Sequence, residues 1–496
     1  MDIASQRLAI PPTAAPLTTS VAALAAGDGL ARARAIAARA GRRAAVFTAL
    51  VAGDLAIALS CEAAALRLLP ALGLSEASEA LPIPAAGCLA AFLALNLYAE
   101  WGLDPVARLR LRGVGIALFA CVSLTVAAGG GSFSLWVALE VACVGLLMFV
   151  VGHYGEELLR GLLKTRWWWG VPTALIGAGP ASRDLALALL AHPEFGLRPI
   201  GLIGAPDGAD PAFPLPLLGD LGDAPRLCRS VDVAIAPASE NGHGAHADLL
   251  RLPFRHVVIS HGVGPGSISC PRIRALYGAI GFDVRRDIYR RSSLALKRGL
   301  DCLMVAPMLL AAAPIVLILA IAIKSLSPGP VFFRQVRVGR NGRTFSVLKL
   351  RTMYVDAERR LQEHLLLHPE AQIEWSRFFK LRDDPRTLPG IGAFMRRTSL
   401  DELPQLLNVA LGQMSLVGPR PFPDYHLQSF DKEFQELRSS VPPGLTGFWQ
   451  ISSRSDGDLA VQQMQDSFYI TNWSLWFDLY IIFRTPLAVL GAKGAR

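Results

Sequence analysis

Four apolar runs near the start of the chain, at about 44–68, 83–101, 113–131 and 133–153, limit the possible folds more than any other feature. Each is close to the roughly 20 residues that cross a bilayer as a helix. Only a helix or a closed barrel satisfies its own backbone in lipid, and runs this long and this apolar read as helices. Composition agrees. Of the 496 residues, 52% are hydrophobic and 18% charged, with a mean hydropathy of +0.38. That is too apolar for an ordinary water-soluble enzyme. The flanks give a direction. Residues 1–43 end in a basic cluster, Arg32, Arg34, Arg39, Arg42 and Arg43, and read as a cytosolic tail. Arg108, Arg110 and Arg112 follow the second run, and Arg160, Lys164 and Arg166 follow the fourth. The other two connections carry little positive charge, so both ends of this bundle, 44–154, are expected on the cytoplasmic side. Asp54 and Glu140 fall inside the runs. They mark either a pathway or a paired structural group, and no function is assigned to them.

Trp167-Trp168-Trp169 is expected to mark the membrane interface. Beyond it the pattern changes. Strands are predicted at 173–176, 199–204, 231–236 and 257–259, with a helix at about 181–192. Alternation of this kind implies a parallel sheet with crossovers, a Rossmann-like middle domain over 170–282. Gly177-x-Gly179 suggests a dinucleotide turn, but the third small position is Ser182 and no acid ends the second strand, Asp207 coming too late. A structural or regulatory sheet is the better expectation. The seven cysteines contain no Cys-x-x-Cys pair, so reduced thiols rather than disulfides or a zinc site are expected. The net charge of +9 suits anionic lipid or phosphorylated substrates, and no nucleic-acid module is apparent.

A fifth apolar run, about 301–323, differs from the others. Both flanks are basic: Arg285, Arg286, Arg290, Arg291, Lys297 and Arg298 before it, and Lys324, Arg334 and Arg337 after it. Pro314 lies near its middle, where it removes a helix hydrogen bond and kinks the chain. A re-entrant helix that enters and leaves on one face is predicted. Arg298 and Asp301, one turn apart, are expected to pair or to anchor a head group together with Lys297.

The chemistry is carried by Thr398-Ser399-Leu400-Asp401-Glu402-Leu403-Pro404-Gln405. By itself the stretch reads as a capping box, Ser399 with Glu402, opening a helix. Its company changes that reading: Lys297-Arg298-x-x-Asp301, Lys349-Leu350-Arg351-Thr352-Met353, Lys380-Leu381-Arg382-Asp383-Asp384-Pro385-Arg386, Gly418-Pro419-Arg420-Pro421, and Pro443-Gly444-Leu445-Thr446-Gly447-Phe448-Trp449-Gln450. In this order the blocks resemble the bacterial sugar transferases, the polyprenyl-phosphate hexose-1-phosphate transferases, in their large form. The likeness is dense over 292–496 and consistent in layout over the rest.

The resemblance implies a fold of three parts: a membrane α-helical bundle of four crossings, a cytosolic α/β Rossmann-like domain, and an α+β catalytic domain with a re-entrant membrane helix. It implies a multi-pass protein of the bacterial inner membrane with the catalytic domain facing the cytoplasm. A homodimer is compatible with it. It implies transfer of hexose 1-phosphate from a UDP-hexose to undecaprenyl phosphate, with Mg²⁺ as cofactor. Asp401 would be the nucleophile and Glu402 the metal ligand. Arg396 and Arg420 would hold phosphate oxygens, helped by Lys349 and Arg351. Gln450, Arg454 and Asp466 would shape the nucleotide or sugar pocket, with Ser453 standing where a glycine is usual. The bend of the membrane helix falls at Ala313-Pro314 instead of a Ser-Pro pair. Such chemistry needs cations around repeated negative charge, and a carboxylate that can attack phosphorus splits one step into two.

Charges between apolar positions over 354–380 suit a helix on the membrane surface or against a core. Trp473, Trp476, Phe477 and Tyr480 suggest interfacial anchoring of the last segment. Two other readings exist: an NAD-dependent nucleotide-sugar dehydratase and a non-catalytic scaffold for polysaccharide assembly. The first needs Tyr-x-x-x-Lys, and no tyrosine here has lysine four residues on. The second leaves the acid pair and its arginines without a role.

Overall fold

The computed structural model describes residues 30–71, 84–130, 134–166, 168–204, 213–237, 252–260, 272–276, 279–283, 288, 291–368, 372, 384–452 and 459–490. The chain divides into two compact units, Met1–Val263 and Gly264–Arg496.

In the first unit, α1 (Leu30–Ala71), α2 (Pro84–Ala94), α3 (Pro105–Gly129) and α4 (Leu135–Leu163) form the bundle. Ala37–Ala64 of α1, all of α3 and all of α4 are long and apolar enough to cross a membrane. The second predicted crossing differs. Its described helix is eleven residues, about 16 Å at 1.5 Å per residue. It gives way to a turn in which Asn96 has φ +55°. The segment ends at Glu100, which pairs with Arg43 near the start of α1 at 3.4 Å, so it returns to the side from which α1 sets out; residues 72–83 lie outside the described residues. Val122, Val126, Leu135 and Leu146 are exposed on the outer faces, as lipid contact requires.

The bundle holds a buried ionic knot. Arg112 bonds Asp54 at 2.9 Å and Glu156 at 3.0 Å, and Arg108 and Arg160 reach the same Glu156 at 3.3 and 2.8 Å. Asp54 is therefore a paired structural group.

The sheet of this unit has five parallel strands in the order β3-β2-β1-β4-β5: β1 (Val171–Ile176), β2 (Leu197–Ile203), β3 (Leu217–Gly219), β4 (Val233–Pro237) and β5 (His256–Ser260). The chain reverses its winding between β1 and β4, the pattern of doubly wound sheets. After β1, Gly177 at φ +92° turns the chain into α5 (Pro180–Ala191), where Ser182 is buried with its hydroxyl on the Ile176 carbonyl at 3.4 Å. The sheet is fastened to α1. The fully buried Asp232 receives Arg39 at 3.1 Å and Arg42 at 2.7 Å. Arg39 also donates to the carbonyls of Cys228 and Arg229. Trp169 is buried and donates to the Pro193 carbonyl at 2.8 Å, so it fills this junction instead of facing lipid; Trp167 lies outside the described residues.

The second unit begins with the β6–β7 hairpin (Arg272–Leu276, Ala279–Asp283) and α6 (Arg291–Leu326), a 36-residue helix containing Pro307 and Pro314. Ser292–Leu326 is the fourth helix long and apolar enough to span. Lys297, Asp301, Val305, Ala312, Leu319 and Ile323 are buried along it, a stripe at helical spacing, while Leu303, Leu310 and Ile318 are exposed. An antiparallel pair follows, β8 (Phe332–Val338) and β9 (Thr344–Leu350). Then come α7 (Ala357–Leu367), α8 (Ile391–Thr398), α9 (Gln405–Ala410), β10 (Ser415–Val417), α10 (Lys432–Ser439), β11 (Gly444–Thr446), α11 (Phe448–Ser452), α12 (Leu459–Thr471) and α13 (Leu475–Leu490). Of the predicted surface helix over 354–380, only α7, residue 368 and residue 372 are described beyond Asp356, with Leu361 buried and Leu366 and Leu367 exposed. The last helix is not an interfacial anchor at its start: Trp473 and Phe477 are buried, and Trp473 donates to Asp478 at 3.0 Å.

Replacing Asp232 by Ala leaves Arg39 and Arg42 without their buried counterion. The expected cost is about 3 kcal/mol, seen as a lower melting temperature of the purified chain and faster hydrogen exchange in β1 and β4. An unchanged melt would place the fastening elsewhere.

Candidate active site

The acid pair sits on a turn, not on a helix start. Ser399 adopts the left-handed conformation, φ +58° and ψ 20°, and closes α8. Leu400–Glu402 is a single 3₁₀ turn, and α9 begins only at Gln405. No capping bond forms at Ser399, so the predicted capping box and its helix N-terminus are absent. The reason is competition: the Glu402 carboxylate that would cap Ser399 is held by two cations. A left-handed non-glycine residue costs on the order of 1 kcal/mol, and such strain collects at functional sites. Successive side chains on a 3₁₀ turn point about 120° apart, which separates the two acids.

Glu402 Oε1 accepts from Lys349 Nζ at 2.7 Å and from Arg420 Nη2 at 2.9 Å. Its other oxygen makes no hydrogen bond among the described residues. Burial opposes ionisation of Glu402, but Arg420 and Lys349 hold its carboxyl down to about 2. Asp401 goes the other way. Burial, and then the neighbouring Glu402 charge, push it up to about 6, against the pull of Lys349 and Arg396. Two adjacent carboxyls thus separate in acidity through their surroundings alone.

Both acids line a cavity of about 1040 Å³. Lys349, Arg396 and Arg420 line it beside them. Arg396 donates to Thr352 Oγ1 at 3.0 Å. Strand pairing sets Phe333 opposite Lys349, so Phe333, Gln335 and Arg337 lie on the Lys349 face of the hairpin. Arg337 bonds Gln335 at 2.5 Å and carries a third arginine charge toward Arg420 and Glu402. Met308, Phe332, Ile482, Pro486 and Val489 add an apolar wall. Gln450 lines the cavity with its amide on the Leu445 carbonyl at 3.1 Å, next to Trp449.

The loop that delivers Arg420 is held at every carbonyl from 419 to 422. Pro419 accepts from Gly444 N at 2.9 Å, Arg420 from Arg438, Pro421 from Arg337 at 3.4 Å, and Phe422 from Val338 N at 2.9 Å. Gly418 permits this approach, since a Cβ there would lie 2.5 Å from the Pro442 carbonyl.

Several expectations need correction. Arg351 lines the cavity but spends its guanidinium on the carbonyls of Ser327 and Pro328, at 2.7 and 2.8 Å, where it fixes the chain leaving α6. Asp466 is buried away from the cavity and pairs with Arg438 at 3.0 Å. Lys297 is buried against Asp478 at 2.6 Å, so its charge is neutralised inside the protein. Arg298 donates to the carbonyls of Val409 and Ala410 at the end of α9, and Asp301 accepts from Leu416 N at 3.0 Å. These two do not pair with each other; each instead satisfies backbone groups of α9 or β10. Pro314 is exposed within α6. Arg454 lies outside the described residues. Among the described residues no three His, Cys, Asp or Glu side chains gather as a metal site. Arg337 and Gln335 were findable from the alternation of β8. Arg438 gave no local signal, because its partners are far away in sequence.

With this geometry in view, the comparisons with known proteins decide the family. The family model for bacterial sugar transferase matches residues 292–492. An uncharacterized sugar transferase of Haemophilus influenzae is 32% identical over 70% of this chain and 75% of its own length. The undecaprenyl-phosphate galactose phosphotransferase of Salmonella typhimurium is 32% identical over 77% of this chain and 80% of its own. The chain belongs to the bacterial sugar transferase family. A UDP-glucose:undecaprenyl-phosphate glucose-1-phosphate transferase of Xanthomonas campestris is similar over still more, 30% identical across 82% of this chain and 85% of that protein. These matches run well beyond the catalytic unit, so this sugar transferase is of the large form. The dehydratase and scaffold readings are left without support.

The opposed acidities give a test. With its carboxyl raised to about 6, Asp401 in the metal-free sugar transferase is expected to titrate by isotope-edited infrared spectroscopy well above the ordinary value of 3.8. Glu402→Gln removes the repelling charge and should lower that midpoint. A midpoint unmoved by the substitution would mean that burial acts alone. The sign for stability is opposite at Glu402. Its carboxyl is depressed, so its pairing stabilises the fold above 4.5 and is lost as pH falls toward about 2.

Proposed function

We propose that this chain transfers hexose 1-phosphate from a UDP-hexose, galactose or glucose favoured, to undecaprenyl phosphate, giving undecaprenyl-diphospho-hexose and UMP. This would be the first membrane step in assembling an exopolysaccharide, O-antigen or capsule. The reading rests on one observation above all: the acid pair stands among Lys349, Arg396 and Arg420 in a cavity that also has an apolar wall. Charge on one side and apolar side chains on the other suit a nucleotide diphosphate and a lipid phosphate meeting in one place. The named relatives from Salmonella and Xanthomonas act on these substrate classes.

In this reading the Asp401 carboxylate attacks the β-phosphorus of the donor. The bond from that phosphorus to the bridging oxygen breaks, and UMP leaves with the electron pair. An oxygen of the lipid phosphate then attacks the same phosphorus. The acyl-phosphate bond breaks, Asp401 is restored as carboxylate, and the new diphosphate departs. Arg420 and Arg396 hold non-bridging oxygens, for which guanidinium geometry is suited. Lys349 shares its charge between Glu402 and the incoming phosphate. Gln450 and Trp449 border the nucleotide or sugar.

Mg²⁺ fits the residues present. It keeps most of its waters and needs only one or two carboxylates beside substrate phosphates. Glu402 would hold it through the oxygen that Lys349 and Arg420 do not use. When bound it neutralises charge on the diphosphate.

We also infer that α6 is re-entrant and that the catalytic unit faces the cytoplasm of a bacterial inner membrane. Both ends of α6 are tied to one body. Lys297 and Asp301 meet Asp478 and Leu416 near the start, and Ile323 packs with Leu350, Leu388 and Met395 near the end. Exit on the far side of a bilayer would pull one of these ends from its partners. Pro314 lies between them. The five-stranded sheet of the first unit is best read as a Rossmann-like structural domain fastened to the bundle.

Radiolabelled UDP-galactose and UDP-glucose with undecaprenyl phosphate test the chemistry. Asp401→Asn is expected to abolish label transfer to lipid, and full activity in that variant removes the proposed nucleophile. For topology, single cysteines at Ser292 and Ser325 in a cysteine-free background should both react with a membrane-impermeant maleimide from the cytoplasmic side only. Labelling of one of them from the periplasm would make α6 a full crossing.

A further inference from the structure

We propose that the buried Arg438–Asp466 pair is a positioning device for Arg420 and contacts no substrate. Arg438 comes from α10 and Asp466 from α12, and neither lines the cavity. Arg438 Nε donates to Asp466 at 3.0 Å, and its second arm donates to the backbone carbonyl of Arg420. Its guanidinium also lies 3.7 Å over the Phe422 ring, two residues further along the same loop. One side chain thus grips the loop at two points while Asp466 fixes its direction. The side chains are 7% and 3% exposed, so water does not compete for these bonds.

The pair reaches the reaction only through Arg420. The Arg420 side chain goes to Glu402 at 2.9 Å, while its carbonyl goes to Arg438. The neighbouring carbonyls are held by Gly444 N, Arg337 and Val338 N, so the fold already restrains the rest of the loop. Arg438 supplies the restraint at the functional residue itself. Fixing the Arg420 backbone sets where its guanidinium can reach, and a guanidinium displaced by about an ångström loses the bidentate fit to phosphate. The inference rests on the reading that Arg420 holds a substrate phosphate.

A double-mutant cycle on the full chain in nanodiscs decides it, using UDP-galactose and UDP-glucose with undecaprenyl phosphate. Asp466→Asn is expected to lower kcat/KM about tenfold, mostly through a higher donor KM. In an Arg420→Ala background the same change should alter kcat/KM by less than about twofold, because the residue it serves is gone. An equal factor in both backgrounds, or wild-type kcat/KM in Asp466→Asn, overturns the proposal. If Asp466→Asn fails to fold, Arg438→Lys takes its place; it keeps a charge for Asp466 and removes the second arm. The same cycle read as dissociation constants for inorganic pyrophosphate separates this inference from the proposed function. Pyrophosphate binding that depends on Arg420 and is non-additive with Asp466, in a chain that transfers no hexose phosphate, upholds the positioning role and removes the proposed reaction. Pyrophosphate binding that is additive, or that ignores Arg420, removes the positioning role.

Discussion

One carboxylate oxygen organises the catalytic unit. Glu402 Oε1 accepts from a lysine on a strand and an arginine on a loop, and so joins parts of the chain far apart in sequence. The bonds are charge-assisted, and so stronger than those between neutral groups. Without that anion, Lys349 and Arg420 would repel each other across the cavity. With it, they are held near Asp401, which makes no hydrogen bond to either but feels the Lys349 charge. The turn at Ser399 follows from the same arrangement. A helix starting at Ser399 would use Glu402 for capping; the left-handed residue gives up that cap and hands the carboxylate to the cations.

A second device recurs in both units. Where a membrane helix meets protein, a buried ion pair secures it. Arg112 with Asp54 and Glu156 does this inside the bundle, Asp232 with Arg39 and Arg42 beneath the sheet, and Lys297 with Asp478 at α6. Such pairs are seldom a large gain over apolar packing. Breaking one is costly, however, because it strands a charge out of water. They therefore specify which surfaces meet. This explains why basic residues that read from the sequence as membrane-facing, Lys297 among them, turn inward.

The sequence and the structure agree where the signal is local. Hydropathy located α1, α3, α4 and α6, and alternation with turn residues located β1, β2, β4 and β5. The acid pair and three of its cations, Lys349, Arg396 and Arg420, were legible as ordered blocks. What failed was contact at long range. Arg351 and Asp466 belong to the right blocks but act on backbone and on a buried arginine, and nothing in their neighbours says so. Arg438 is one basic residue on an ordinary amphipathic helix until the fold brings the Arg420 carbonyl to it. The eleven-residue α2 shows the limit of hydropathy itself: an apolar window cannot register that Asn96 turns the backbone.

The clamp at the start of α6 has a further meaning for geometry. Lys297 and Arg298 bolt the apolar helix α6 to α13 and to the end of α9, the helix that follows the acid pair. The foot of α6 and the turn that carries the reactive carboxyls therefore share one set of anchors. A shift of that helix along its axis would strain the same contacts that seat the acid pair.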